Sequence, residues 1–178
     1  MSLFAATLLP ALLLLVIGGL LLWNGEPVAG LAKRSLRSLP VTLVVLTLGG
    51  GWFLYEVTQL GVSDFGNHRV LLFILFLGIA ILSVFYVRDF LAVRAAAILY
   101  LMAAKTLLDA AYMEDPPSRL FMVGLVYVCI LLALYLGTIP YRLRDFFQWL
   151  FAKGTRPKVL GAACTLYGLL LCTTAFCY

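Results

Sequence analysis

The chain has 178 residues, of which 64% are hydrophobic and only 12% charged. Soluble domains hold about 45–50% apolar and about 25% charged residues, so the composition excludes a water-soluble fold; at roughly 20 residues per membrane-spanning helix, it leaves room for about six spans and none for a soluble domain. The net charge of +5 then reads as membrane topology, because Lys and Arg gather in cytoplasmic loops, and not as a signal for nucleic acid.

Residues 3–23 form the first apolar run. No basic segment precedes it and no small-residue cleavage site follows, so it is expected to be a retained helix and not a signal peptide. Pro10 sits inside it, which a membrane helix tolerates when its neighbours satisfy the freed carbonyl. The connection over 24–39 carries Lys33, Arg34 and Arg37, and places Val28, Leu31, Ala32 and Leu36 on one helical face. The second span covers about 40–60 and contains Gly49, Gly50 and Gly51, which allow close approach of another helix.

A short polar loop with Asp64, Asn67 and His68 leads to a third span over about 70–87. Arg88 and Asp89 make a tight turn into the fourth span, about 90–113. Glu114, Asp115, Pro116 and Pro117 cannot continue a helix, and the fifth span runs from about 119 to 139. Over 141–153, Leu143, Phe146, Phe147, Leu150 and Phe151 recur at helical spacing while Arg142, Arg144, Asp145, Gln148 and Lys153 take the other faces. This predicts an amphipathic helix lying flat at the headgroup level. A turn over 154–157 precedes a sixth span, about 159–178.

Charge alternates from loop to loop. The first, third and fifth connections hold Lys33, Arg34, Arg37, Arg88, Arg142, Arg144, Lys153, Arg156 and Lys158, with Arg94 close by; the second and fourth hold Asp64, Glu114 and Asp115. Both termini are therefore expected outside the cell. The segments Tyr86–Phe90 and Tyr141–Phe146 share an Arg-Asp-Phe ending. Descent from repeated hairpins and coincidence both account for it.

Three charges fall inside apolar runs: Glu56 in the second span, Lys105 and Asp109 in the fourth. An ionisable group inside the bilayer is costly unless paired or wet, and such groups tend to mark pathways. Lys105 and Asp109 stand four residues apart on one helix face, at a depth close to that of Glu56. The expected cluster is carboxylate–ammonium–carboxylate, with Trp52, Tyr55, Gln59 and Thr106 as hydrogen-bonding neighbours. It reads either as an interhelical staple or as a site for protons, ions or a charged substrate. Arg94, one turn from the inner surface, is expected to snorkel to the headgroups.

Other chemistry finds little support. The single histidine, His68, builds no metal cluster or relay by itself, and the four cysteines (Cys129, Cys164, Cys172, Cys177) form no C-x-x-C; they behave as small hydrophobes. No metal or cofactor is expected. No H-E-x-x-H, G-x-S-x-G or P-loop pattern is present, so an enzyme ranks third among the readings. Arg142, Arg144, Lys153, Arg156 and Lys158 are placed to bind anionic lipid headgroups on the cytoplasmic side.

The sequence thus predicts a single transmembrane domain over 1–178: an all-α integral membrane protein, a six-helix bundle of three helical hairpins, N-out and C-out, with an interfacial helix before the last span. Localisation is multi-pass, with the cytoplasmic membrane favoured. Two functions stay open. One is a non-catalytic membrane subunit packing against other membrane proteins or itself in a larger complex. The other is a small oligomeric transporter or channel-like protein using Glu56, Lys105 and Asp109.

Overall fold

The computed structural model describes residues 1–23, 28, 30, 38–61, 64–87 and 90–177. Among the described residues seven α-helices follow in chain order: α1 Leu3–Trp23, α2 Leu39–Thr58, α3 Arg69–Tyr86, α4 Leu91–Ala111, α5 Arg119–Thr138, α6 Tyr141–Leu150 and α7 Thr155–Ala175. A 3-10 turn, Gly66–His68, precedes α3. No strand occurs among the described residues. All but α6 are long and apolar enough to cross a membrane, the architecture of a multi-pass membrane protein. The basic connection holding Lys33, Arg34 and Arg37 lies outside the described residues, as do Arg88 and Asp89.

The core is made by four helices. Leu3, Ala6 and Ala11 of α1, Ala104 and Ala111 of α4, Met122 and Val126 of α5 and Leu171 of α7 form its buried centre. The most extensive pairing joins α1 to α7. It is antiparallel, since the Phe4 and Phe176 rings meet edge to face at 5.5 Å while Gly18 meets Gly161 towards the other end. The two described chain ends therefore share one end of the bundle.

Small residues at seven-residue spacing make this seam: Ala11 and Gly18 on α1 face Gly161, Gly168 and Ala175 on α7, all buried. A Cβ added to Gly18 would lie 2.8 Å from the Gly161 carbonyl oxygen, and one added to Gly161 would lie 2.9 Å from that of Gly18. Lipid tails are as apolar as leucine, so helices associate in a bilayer chiefly where backbones approach closely. A repeat of seven keeps that contact facing the partner along the whole helix.

The expected plan of three consecutive hairpins is not confirmed by this packing. After α1 with α7, the main pairs are α2 with α4, α4 with α5 and α2 with α3; neither α1 with α2 nor α3 with α4 is among them. Short connections make sequence neighbours run antiparallel, but matching small-residue surfaces choose which faces touch. Helix α3 packs mainly on α2 and has no buried residue.

Some boundaries move. Helix α7 starts at Thr155, not near 159, because Pro157 falls in its first turn, where a missing N–H costs nothing. Helix α6 ends at Leu150, the Phe151 N–H closing on the Phe147 carbonyl, three residues short of the expected end. The paired Arg-Asp-Phe segments differ locally: Tyr141–Phe146 is helical throughout, whereas Val87 lies outside the helices and Phe90 is left-handed, with φ 57°. The 3-10 turn needs its glycine, since a Cβ at Gly66 would clash with the Gly61 carbonyl oxygen.

Candidate functional site

Helices α2 and α4 run in the same direction, and the point where they touch sets what lies level further along. Gly49 is buried against α4: a Cβ there would meet the Leu99 nitrogen at 3.1 Å and the Ala95 carbonyl oxygen at 3.2 Å. Two turns onward on both helices, Glu56 comes level with Lys105. The Lys105 Nζ donates to Glu56 Oε2 at 2.9 Å. Trp52 stands one turn before Glu56 on the same helix.

The remaining members of the expected cluster are placed differently. Asp109, one turn beyond Lys105, adds its field to that of Glu56 at the ammonium. Among the described residues, though, the ion pairs are Lys105–Glu56 and Arg144–Asp145, and Asp109 is in neither. A helical rise of about 1.5 Å per residue carries Asp109 towards the end of α4, past the level of Glu56. Thr106 donates to the Ala103 carbonyl at 2.7 Å and is occupied within its own helix. Tyr55 and Gln59 make no side-chain hydrogen bond among the described residues.

The pair lies on the flank of the bundle. The Lys105 side chain is 56% exposed and that of Glu56 35%, so neither is sealed between helices. Nor does either line two spaces among the described residues. One is a cleft of about 400 Å³ between α2, α3 and α4, and the other a hollow of about 320 Å³ between α6 and α7. Chemically the site is a formed ion pair presented sideways. Among the described residues no group of three or more His, Cys, Asp or Glu side chains could hold a metal ion.

The five basic residues expected at the headgroups gather, with Arg94, at the end of the bundle opposite the two chain ends. Arg142, Arg144, Lys153 and Lys158 are exposed. Arg144 is engaged by Asp145 through Nε and Nη2, at 3.1 and 2.9 Å. Arg156 does something else: its guanidinium lies 4.4 Å over the Trp149 ring and donates to the Trp149 carbonyl at 2.7 Å. It therefore pins the end of α6 to the start of α7. The apolar stripe of α6 turns Leu143, Phe147, Leu150 and Phe151 inward, while Phe146 stacks on Trp149 with ring centroids 6.1 Å apart and stays more exposed.

Sequence reasoning missed two polar features. The Arg119 Nη1 is buried without a hydrogen-bond partner among the described residues. Arg94 lines the cleft between α2, α3 and α4, which leaves the expected reach to the headgroups open to it. Residue pattern carried no signal for either, because both depend on which helix faces meet.

No protein-family model, no curated protein and no solved structure matches this chain.

Proposed function

We propose that this chain is a non-catalytic membrane subunit that packs against other polypeptides in a larger complex. In this reading its 178 residues form a single transmembrane domain in the cytoplasmic membrane, with both ends outside. The observation that carries the reading is the sideways exposure of the Glu56–Lys105 pair. A charge pair at the edge of the hydrocarbon needs polar company, and a flank-facing pair finds it in a neighbouring polypeptide or in headgroups. The partner-facing side would comprise the α2 and α4 flank near Trp52, Glu56 and Lys105. At the other end, Arg142, Arg144, Lys153 and Lys158 would meet anionic headgroups of the cytoplasmic leaflet.

A transporter using the same residues is less well supported. An ion path needs charged groups around a wet passage, and neither described space is lined by Glu56, Lys105 or Asp109.

Native mass spectrometry of the protein, extracted gently from its own membrane, tests the proposal. A stoichiometric complex with other polypeptides is expected, and Lys105→Met is expected to weaken it while the isolated chain keeps its thermal stability. A monomer or homo-oligomer alone would overturn the subunit reading and make the transporter the leading one.

A further inference from the structure

The cleft between α2, α3 and α4 is apolar along its length except at one end. Its floor is low because Gly50, Ala80 and Ala95 contribute almost no side chain. At Gly50 an added Cβ would find no atom nearer than Leu46 Cδ1 at 4.0 Å, so this glycine borders open space, whereas Gly49 beside it is packed tight. Phe53 and Phe76, ring centroids 5.0 Å apart and almost perpendicular, close the cleft towards the middle of the bundle. From Phe76 to the end of α3 the trough runs about 15 Å at a helical rise of about 1.5 Å per residue.

Only Ser83 and Arg94 bring side-chain polarity to the lining. The Ser83 hydroxyl is occupied, donating to the Ala80 carbonyl at 2.7 Å. Arg94 has neither an ion pair nor a side-chain hydrogen bond among the described residues. It stands in the first turn of α4, which holds no acidic residue, and there the helix dipole is also positive. The mouth of an apolar trough thus presents a positive charge that no described residue pairs, at the end of the bundle where the other basic residues gather.

We propose that this cleft binds one anionic phospholipid, with an acyl chain along the trough and its phosphate on Arg94. The volume of about 400 Å³ lies within the range of about 300–1,000 Å³ typical of ligand pockets. Guanidinium matches phosphate through paired, charge-assisted hydrogen bonds. Any lipid tail could fill an apolar trough; the cation at its mouth is what selects an anionic head. The site is separate from the Glu56–Lys105 flank and does not depend on the subunit reading.

The test uses the full-length protein in nanodiscs of phosphatidylcholine with a minor fraction of phosphatidylglycerol, followed by gentle release and native mass spectrometry. One retained phosphatidylglycerol per chain is expected. Arg94→Gln should weaken its retention about tenfold or more, the factor carried by one charge-assisted hydrogen bond. Gly50→Leu fills the trough from its floor and should abolish retention. Gly51→Leu, at a neighbouring glycine with nothing within 4 Å of an added Cβ, should fold and keep the lipid, controlling for damage to α2. Equal retention of phosphatidylcholine, unchanged retention in both Arg94→Gln and Gly50→Leu, or a polypeptide segment cross-linked into the cleft in place of lipid would each overturn the proposal.

Discussion

Two adjacent glycines on α1 should respond to the same substitution with opposite signs. At Gly18 an alanine methyl would sit 2.6 Å from Thr165 Cγ2, 2.8 Å from the Gly161 carbonyl oxygen and 2.9 Å from the Thr165 nitrogen. Two of these atoms are backbone, so no rotamer change relieves the clash, and α1 and α7 must separate by roughly 0.6 Å to restore ordinary contact. A gap of that size forfeits about a quarter of the dispersion well for each contact along the seam, which includes Ala11, Gly168 and Ala175. Overpacking of this kind costs about 1–3 kcal/mol, and the better helix propensity of alanine returns up to about 1 kcal/mol. Gly18→Ala should therefore lose about 1–2 kcal/mol.

At Gly19 nothing lies within 4 Å of an added Cβ, so Gly19→Ala should be neutral or more stable by up to about 1 kcal/mol. Thermal unfolding of the purified protein in one detergent, followed by near-UV circular dichroism, separates the two. Equal shifts for both variants would refute the assignment of the α1–α7 seam.

Other expectations follow from single contacts. Arg156→Lys loses the planar stack on Trp149 and should cost about 1 kcal/mol, with a red shift in Trp149 fluorescence; an unshifted spectrum would count against the pin between α6 and α7. The Tyr167 hydroxyl donates to the Phe121 carbonyl at 3.0 Å and that of Tyr100 to the Val126 carbonyl at 3.3 Å. Replacing either tyrosine by phenylalanine should cost about 0.6 kcal/mol, the average for interhelical hydrogen bonds in membranes, and a loss above about 2 kcal/mol would show a role beyond that bond. Cys177 is exposed at the end of the bundle that also holds the start of α1, whereas Cys129, Cys164 and Cys172 are half-buried. A membrane-impermeant maleimide added to intact cells should label Cys177; labelling only after lysis would reverse the proposed orientation.

Composition and local pattern were enough to determine that the chain is all-helical and multi-pass, and to locate its six long helices within a few residues. Continuous apolar runs of about twenty residues admit little else, because backbone polar groups in lipid must be satisfied within the segment. The amphipathic character of α6 was equally legible from its spacing. Glu56 and Lys105 could be named as partners because charges in apolar runs are rare and their depths follow from counting.

Contact depended on helix rotation, which no single helix encodes. Only the tertiary structure decided that Asp109 stands outside the ion pair, that the pair faces sideways, and that Arg94 opens onto a trough floored by Gly50. It also decided that α1 packs chiefly on α7 and not on α2. The glycines at 18, 161 and 168 were visible throughout, but a glycine becomes a contact only when a second backbone arrives to fill the space its missing side chain leaves.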